Sequence, residues 1–161
     1  MASLDHMVIN DEYYTSRSTW ELIINYIPEE TIVLEPFKGN GASIESLIEL
    51  GLNVMTSDYE DAYDQIEETD EYDMILTNPP WNSNSLKQFL NVLKEVDKPF
   101  ILILPITKIC SKYFKDCFQD IQIIIPRSRI SFINIDNKKQ PSFPSVFVCY
   151  KMYLEKDIIY L

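Results

Sequence analysis

Apolar residues recur along this chain with two periods, and their alternation predicts an α/β fold. Trp20, Ile23, Ile24 and Ile27 fall at i, i+3, i+4 and i+7, the stripe of an amphipathic helix. Ser16 is placed to cap its start and Pro28 to stop it. Residues 31–34 read as a short buried strand, 42–50 as a helix and 53–57 as a second strand. Residues 59–71 are polar and acidic and predict a loop. Residues 72–77 are apolar again, and two prolines end that strand. A loop rich in capping residues, 82–85, leads into a helix marked by Leu86, Phe89, Leu90 and Leu93. Residues 99–104 form a wholly apolar strand bounded by prolines. Ile106, Ile109, Tyr113 and Cys117 mark one further helix, and 121–125 one further strand. Residues 128–135 and 145–153 alternate as strands around a loop at 137–144, which predicts a terminal hairpin.

Two loops in this pattern carry chemistry. Asn78-Pro79-Pro80-Trp81 stands at the carboxyl end of a predicted strand, where open α/β sheets bind ligands. Proline fixes φ and lacks an N–H, so this is a rigid corner with carbonyls able to accept hydrogen bonds. Asn78 adds a side-chain oxygen and Trp81 an aromatic face, a set that suits a planar molecule bearing an exocyclic amino group. The second loop is Glu35-Pro36-Phe37-Lys38-Gly39-Asn40-Gly41, between a predicted strand and a predicted helix. It holds two of the chain's three glycines. Glycine permits positive φ and close backbone approach to a ligand, and the helix start beyond it presents N–H groups. Asp58 follows the next strand, 19 residues after Gly39, near the spacing at which an acid holds ribose hydroxyls. Ile44 stands where a third glycine would complete a dinucleotide fingerprint, which argues against that cofactor class.

Taken together, Glu35-Pro36-Phe37-x-Gly39-x-Gly41, Asp58 and Asn78-Pro79-Pro80-Trp81, in this order, resemble the class I S-adenosylmethionine-dependent methyltransferases. The likeness is to the amino-methyltransferases that modify N6 of adenine, and it runs from about Tyr13 to Tyr150. It implies a Rossmann-like, mostly parallel seven-stranded sheet with helices on both faces, closed by a terminal antiparallel hairpin. S-adenosylmethionine is the implied cofactor. Its site would draw on Glu35, Pro36, Phe37, Gly39, Gly41, Asp58 and Asn78. Tyr14 and Thr15 match the family's segment at the methionine end of the cofactor, with Ser16 where many relatives have proline. Asp61 and Asp64 both qualify by position as the acid that meets the cofactor's adenine amino group. Asn78, Pro79, Pro80 and Trp81 are the implied catalytic corner. Relatives that methylate a glutamine amide or guanine N2 usually carry Tyr or Phe where this chain has Trp81. The alternatives to adenine N6 are those two acceptors, or a partner-dependent subunit of a methyltransferase complex.

Composition adjusts this picture. At 161 residues the chain predicts one domain from Met7 onward, with no separate target-recognition domain. Residues 1–6 read as a cloning remnant, since the His-Met junction is what a common cloning site leaves. The only histidine goes with them, so no histidine base and no metal site is expected. No apolar run reaches the length of a membrane span and no signal peptide is visible. Cys110, Cys117 and Cys149 lack metal-ligand spacing, and reduced cysteines fit an intracellular place, cytoplasm or nucleus. Cys110 and Cys117, seven apart, are expected on one helical face in the core. The net charge of −11 runs against phosphate binding, but it is unevenly spread. Residues 57–73 hold nine Asp or Glu and no Lys or Arg, while 105–140 hold seven Lys or Arg against three Asp. A basic edge at 105–140 is therefore the expected contact for DNA or RNA. A partner protein or a second copy could supply further substrate-binding surface.

Overall fold

A computed structural model describes residues 13–37, 39–57, 62–134, 140–141 and 143–161. In chain order the strands are β1 (Tyr13–Tyr14), β2 (Ile32–Glu35), β3 (Asn53–Thr56), β4 (Met74–Thr77), β5 (Phe100–Pro105), β6 (Ile121–Ile125), β7 (Ile133–Asn134), β8 (Ser145–Tyr150) and β9 (Ile158–Tyr160). The helices are α1 (Arg17–Glu21), α2 (Ala42–Glu49), α3 (Ala62–Glu68), α4 (Ser83–Val96), α5 (Ile106–Ile109) and α6 (Lys112–Cys117). Seven strands make one mixed sheet in the order β3-β2-β4-β5-β8-β6-β9, and β1 pairs with β7 in a separate two-stranded ribbon. Within the large sheet β8 runs against both neighbours, and the other pairings are parallel. This is the Rossmann-like fold expected from the sequence.

Alternating side chains divide the core between the two faces of the sheet. Leu34, Ile75, Leu102, Leu104 and Val148 meet the apolar stripe of α4, Leu86, Phe89, Leu90 and Leu93. Val33, Leu76, Ile101, Ile103 and Phe147 meet Trp20, Leu47, Ile130 and Phe132. The α4 helix forms as its sequence requires: Asn82 Oδ1 accepts the Ser85 N–H at 2.9 Å as an N-cap. Among the described residues no helix is long and apolar enough to cross a membrane.

Several expected elements differ. The first helix ends at Glu21, and a 3₁₀ turn follows at Ile24–Tyr26. Trp20, Ile23 and Ile27 are nonetheless buried; an i, i+3 spacing suits a 3₁₀ turn as well as an α-helix. The expected loop at 59–71 contains α3, whose Ala62 and Ile66 are buried beneath its acidic residues. The helix expected across Ile106 to Cys117 is two short helices separated at Cys110 and Ser111. The break parts the two cysteines: Cys110 is exposed, Cys117 half-buried, and Cys149 alone lies in the core. Among the described residues, the expected strand at 128–135 keeps only β7, off the main sheet, and β8 pairs antiparallel with β5 and β6 instead. The edge strand β9 was not foreseen, because three residues with exposed Ile158 and Tyr160 show no burial pattern.

Candidate active site

The parallel strands β2 and β4 are neighbours, so the loops that leave their carboxyl ends emerge side by side. Glu35 ends β2 and is 1% exposed. Its Oε1 accepts the Phe37 N–H at 2.9 Å and the hydroxyl of Thr77, the last residue of β4. That second bond joins the glycine loop directly to the strand that carries Asn78. Burial pushes the Glu35 carboxyl up to about 8, against the two hydrogen bonds, which favour its ionised form. At neutral pH the group therefore holds its proton. Phe37 packs edge-on against Phe89 of α4 at 5.0 Å and against Tyr63 of α3 at 6.5 Å. The Pro36 carbonyl accepts the Ser57 hydroxyl at 3.3 Å.

Both glycines of the loop are required by their backbone. Gly39 has φ +56°, and a Cβ there would lie 2.8 Å from the Tyr14 ring. Gly41 caps α2 with φ +87°, while Asn40 Oδ1 accepts the Ala42 N–H at 3.0 Å. Tyr14 is held over the loop because β1 pairs with β7, Tyr14 opposite Ile133. Thr15 follows, 2% exposed, and its hydroxyl has no hydrogen-bond partner among the described residues.

After β4 come Asn78, whose Oδ1 is buried, and the two prolines. Trp81 is half-buried and not a free-standing face. Its indole N–H donates to the Ile103 carbonyl of β5 at 3.1 Å, and Phe132 meets it edge-to-face at 5.1 Å. Phe132 is itself clamped. The Gln140 side chain accepts the Phe132 N–H at 2.8 Å and donates to the Phe132 carbonyl at 2.8 Å, the two bonds that a neighbouring strand would make. The Arg129 guanidinium donates to the Pro141 carbonyl nearby. The strap around Phe132 and Ile133 thus links the two loops, touching Trp81 on one side and, on the other, Tyr14, whose ring lies against Gly39.

The expected site residues Tyr14, Thr15, Glu35, Pro36, Phe37, Gly39, Gly41, Asn78, Pro79, Pro80 and Trp81 therefore belong to one end of the sheet. Asp64 is exposed on the first turn of α3, while Asp58 and Asp61 lie outside the described residues. Of the cations expected at a basic edge, Lys108 follows the carboxyl end of β5, and Arg127 and Arg129 follow that of β6. Lys112 is paired with Asp116, and Lys138 and Lys139 lie outside the described residues. Thr77, Phe132 and Gln140 were not foreseen as site residues. Phe132 falls within an alternating stretch that signalled burial, but nothing local marks Gln140.

No protein-family model matches the sequence, and no curated protein is similar enough to match. Solved structures do resemble it. One is a precorrin-6y C5,15-methyltransferase from Geobacter metallireducens, with a TM-score of 0.50 and 11% identity over 87% of this chain and 93% of that one. Another is a putative class I S-adenosylmethionine-dependent methyltransferase from Listeria monocytogenes, with a TM-score of 0.57 and 11% identity. That match covers 91% of this chain and 64% of the Listeria chain, so it spans just under two thirds of that relative's length. At such identities the likeness is one of architecture, and it agrees with the topology: this chain has the Rossmann-like fold of the class I methyltransferases.

Proposed function

We propose that this chain transfers a methyl group from S-adenosylmethionine to an exocyclic amino nitrogen, with N6 of adenine in DNA or RNA the favoured acceptor. One observation carries the reading. The glycine loop and the Asn-Pro-Pro-Trp corner leave adjacent parallel strands and are joined by the bond between Thr77 and Glu35. A cofactor over the first loop and a planar amine at the second would then be neighbours.

The residues fit the cofactor. Gly41 has open space where a Cβ would stand and leaves room for the cofactor's close approach, and Thr15 offers an unpartnered buried hydroxyl. Glu35 offers a carboxyl that gains from ionising when a positive charge comes near. Tyr14 and Phe37 flank the loop, and Asp58, with Asp61 or Asp64, would take the ribose and adenine ends. When bound, the cofactor supplies an electrophilic methyl on a sulfonium. The chain supplies position. An amino group conjugated to a ring is a poor nucleophile because its lone pair is delocalised. The Asn78 side-chain oxygen and the Pro79 carbonyl accept its two hydrogens, draw the nitrogen toward tetrahedral geometry and aim its lone pair. Trp81, fixed at its N–H and against Phe132, is a rigid stacking platform for the ring. In duplex nucleic acid the base would first be flipped out. Lys108, Arg127 and Arg129, at the same end of the sheet, support a polyanionic acceptor.

The net charge of −11 and the exposed carboxylates of α3, Asp64, Glu67 and Glu68, favour a second reading, a glutamine amide in a basic protein. Titration with S-adenosylmethionine, then labelled-methyl transfer to DNA, RNA and protein with the product digested and weighed, separates the two. N6-methyladenine is the expected product. Label in a glutamine side chain selects the second reading. Cofactor binding with no transfer to any substrate points to a partner-dependent subunit, and absence of cofactor binding refutes both readings.

A further inference from the structure

Ser145 opens β8 opposite Pro105, at the carboxyl end of β5. It is 4% exposed, and its hydroxyl has no hydrogen-bond partner among the described residues. Burying such a group unpaired is costly, and a buried orphan calls for an explanation. The Tyr113 hydroxyl is also orphaned, but it lies on α6, so an orphan alone is not a site. Position distinguishes Ser145. On β8, Phe147 and Cys149 pack with Ile130 and Phe132, while Val146 and Val148 pack on the opposite face. By alternation Ser145 shares the face of Phe132. The carbonyl that takes the Trp81 N–H belongs to Ile103, which opposes Phe147. Ser145 and Pro105 pair two residues farther toward the ligand-binding end of the sheet, about 7 Å along the strand at ~3.4 Å per residue.

We propose that Ser145 is an acceptor-binding residue. Its hydroxyl hydrogen-bonds the edge of the planar amine held at Asn78 and Trp81, at a ring nitrogen or ring carbonyl near the reacting amino group. The inference rests on the acceptor reading above and deepens it. A stacking face and two acceptors for the amino hydrogens do not distinguish one amino-heteroarene from another, whereas a hydroxyl aimed at the ring edge does. The strap at Phe132 packs on the same face.

The test compares the unaltered chain with Ser145→Ala and Ser145→Cys. The probes are a short adenine-containing single strand and the same strand with 1-deaza- or 7-deaza-adenine at the target. Ser145→Ala should melt at the same temperature as the unaltered chain or higher, because an orphan is removed. It should bind S-adenosylmethionine within twofold of normal. Its kcat/KM on the adenine strand should fall about tenfold, the size of one hydrogen bond. The unaltered chain should lose a similar factor on one of the deaza strands, and Ser145→Ala should lose nothing further there. Ser145→Cys, a weaker hydrogen-bonding group of similar shape, should fall between. Full kcat/KM in a folded Ser145→Ala overturns the proposal. So does equal loss on every strand, or activity that falls only with the folded fraction. Failure of the acceptor reading itself appears in the unaltered chain, as cofactor binding without transfer to the adenine strand, and removes the role for Ser145 with it.

Discussion

Glu35→Gln should convert a pH-dependent part of the protein's stability into a constant one. The carboxyl is buried and holds its proton to about pH 8, against an ordinary value of 4.5. Below pH 4.5 folded and unfolded chains both carry the proton, and the shift has no effect. Between 4.5 and about 8 the unfolded chain ionises while the folded chain does not, so stability falls as pH rises and levels off above 8. The gap of 8 minus 4.5 pH units, at about 1.4 kcal/mol per unit, sets a ceiling on the order of 5 kcal/mol. Glutamine keeps an Oε1 to accept from Phe37 and Thr77 and has nothing to titrate. Urea denaturation of both chains from pH 4 to 9 therefore isolates Glu35 from the other carboxylates. The stability difference should move steadily in favour of the variant up to pH 8 and then stay constant. The same carboxyl predicts a binding signature. A cationic cofactor favours its ionised form, so binding at pH 7 should release about one proton from the unaltered chain. Glu35→Gln should release none, as calorimetry in buffers of different ionisation enthalpy would show. A stability difference that does not change with pH would refute the raised affinity for the proton, and proton-neutral binding would remove Glu35 from the cofactor's surroundings.

Gln140→Ala removes both bonds that hold Phe132 and should lower stability by about 1–3 kcal/mol while raising the acceptor KM; Trp81 emission, read in a Trp20→Phe background, should shift to longer wavelength. Unchanged emission would show that the clamp does not set the Trp81 environment. Thr15→Val, which deletes an orphaned buried hydroxyl, should hold or raise the melting temperature yet weaken S-adenosylmethionine about tenfold; equal affinity in titration would take Thr15 out of the site. Reversing Lys108 and Arg127 to Glu should weaken oligonucleotide binding and flatten its salt dependence by about one to two counterions, with cofactor affinity unchanged. A salt slope equal to that of the unaltered chain would place the nucleic acid elsewhere.

Much of the sheet was legible because its central strands are short, apolar and bounded by proline or glycine. Residues 31–34, 72–77, 99–104 and 121–125 predicted β2, β4, β5 and β6 to within a residue or two. The two loops were legible because glycine and proline restrict the backbone locally, whatever surrounds them. What escaped depends on partners distant in sequence. Residues 128–135 alternate as a strand would, but β6 occupies the place beside β8, and among the described residues only Ile133 and Asn134 find a strand partner, in β1. The acidic composition of 59–71 concealed the two buried positions that make α3 a helix. Gln140 is invisible to any local rule, since its function in the fold is to bond a backbone eight residues away. Glu35 was legible as a loop acid, but its proton was not, because that depends on the burial and on Thr77, 42 residues later.

The direct test of the catalytic corner is single-turnover methyl transfer by Asn78→Ala, measured with melting temperature and cofactor affinity on the same preparation. The substitution removes one of the two acceptors that hold the amino hydrogens and leaves Gly39, Gly41, Glu35 and the start of α2 in place. Transfer to an adenine strand should slow by roughly 10²–10³, the loss expected when one preorganised polar group leaves a site. S-adenosylmethionine affinity should stay near normal, and Asn78→Asp, which keeps an acceptor oxygen, should be milder. Asn78→Ala that melts lower but transfers at the normal rate per folded molecule would contradict the assignment, for Asn78 would then do no more than end a strand.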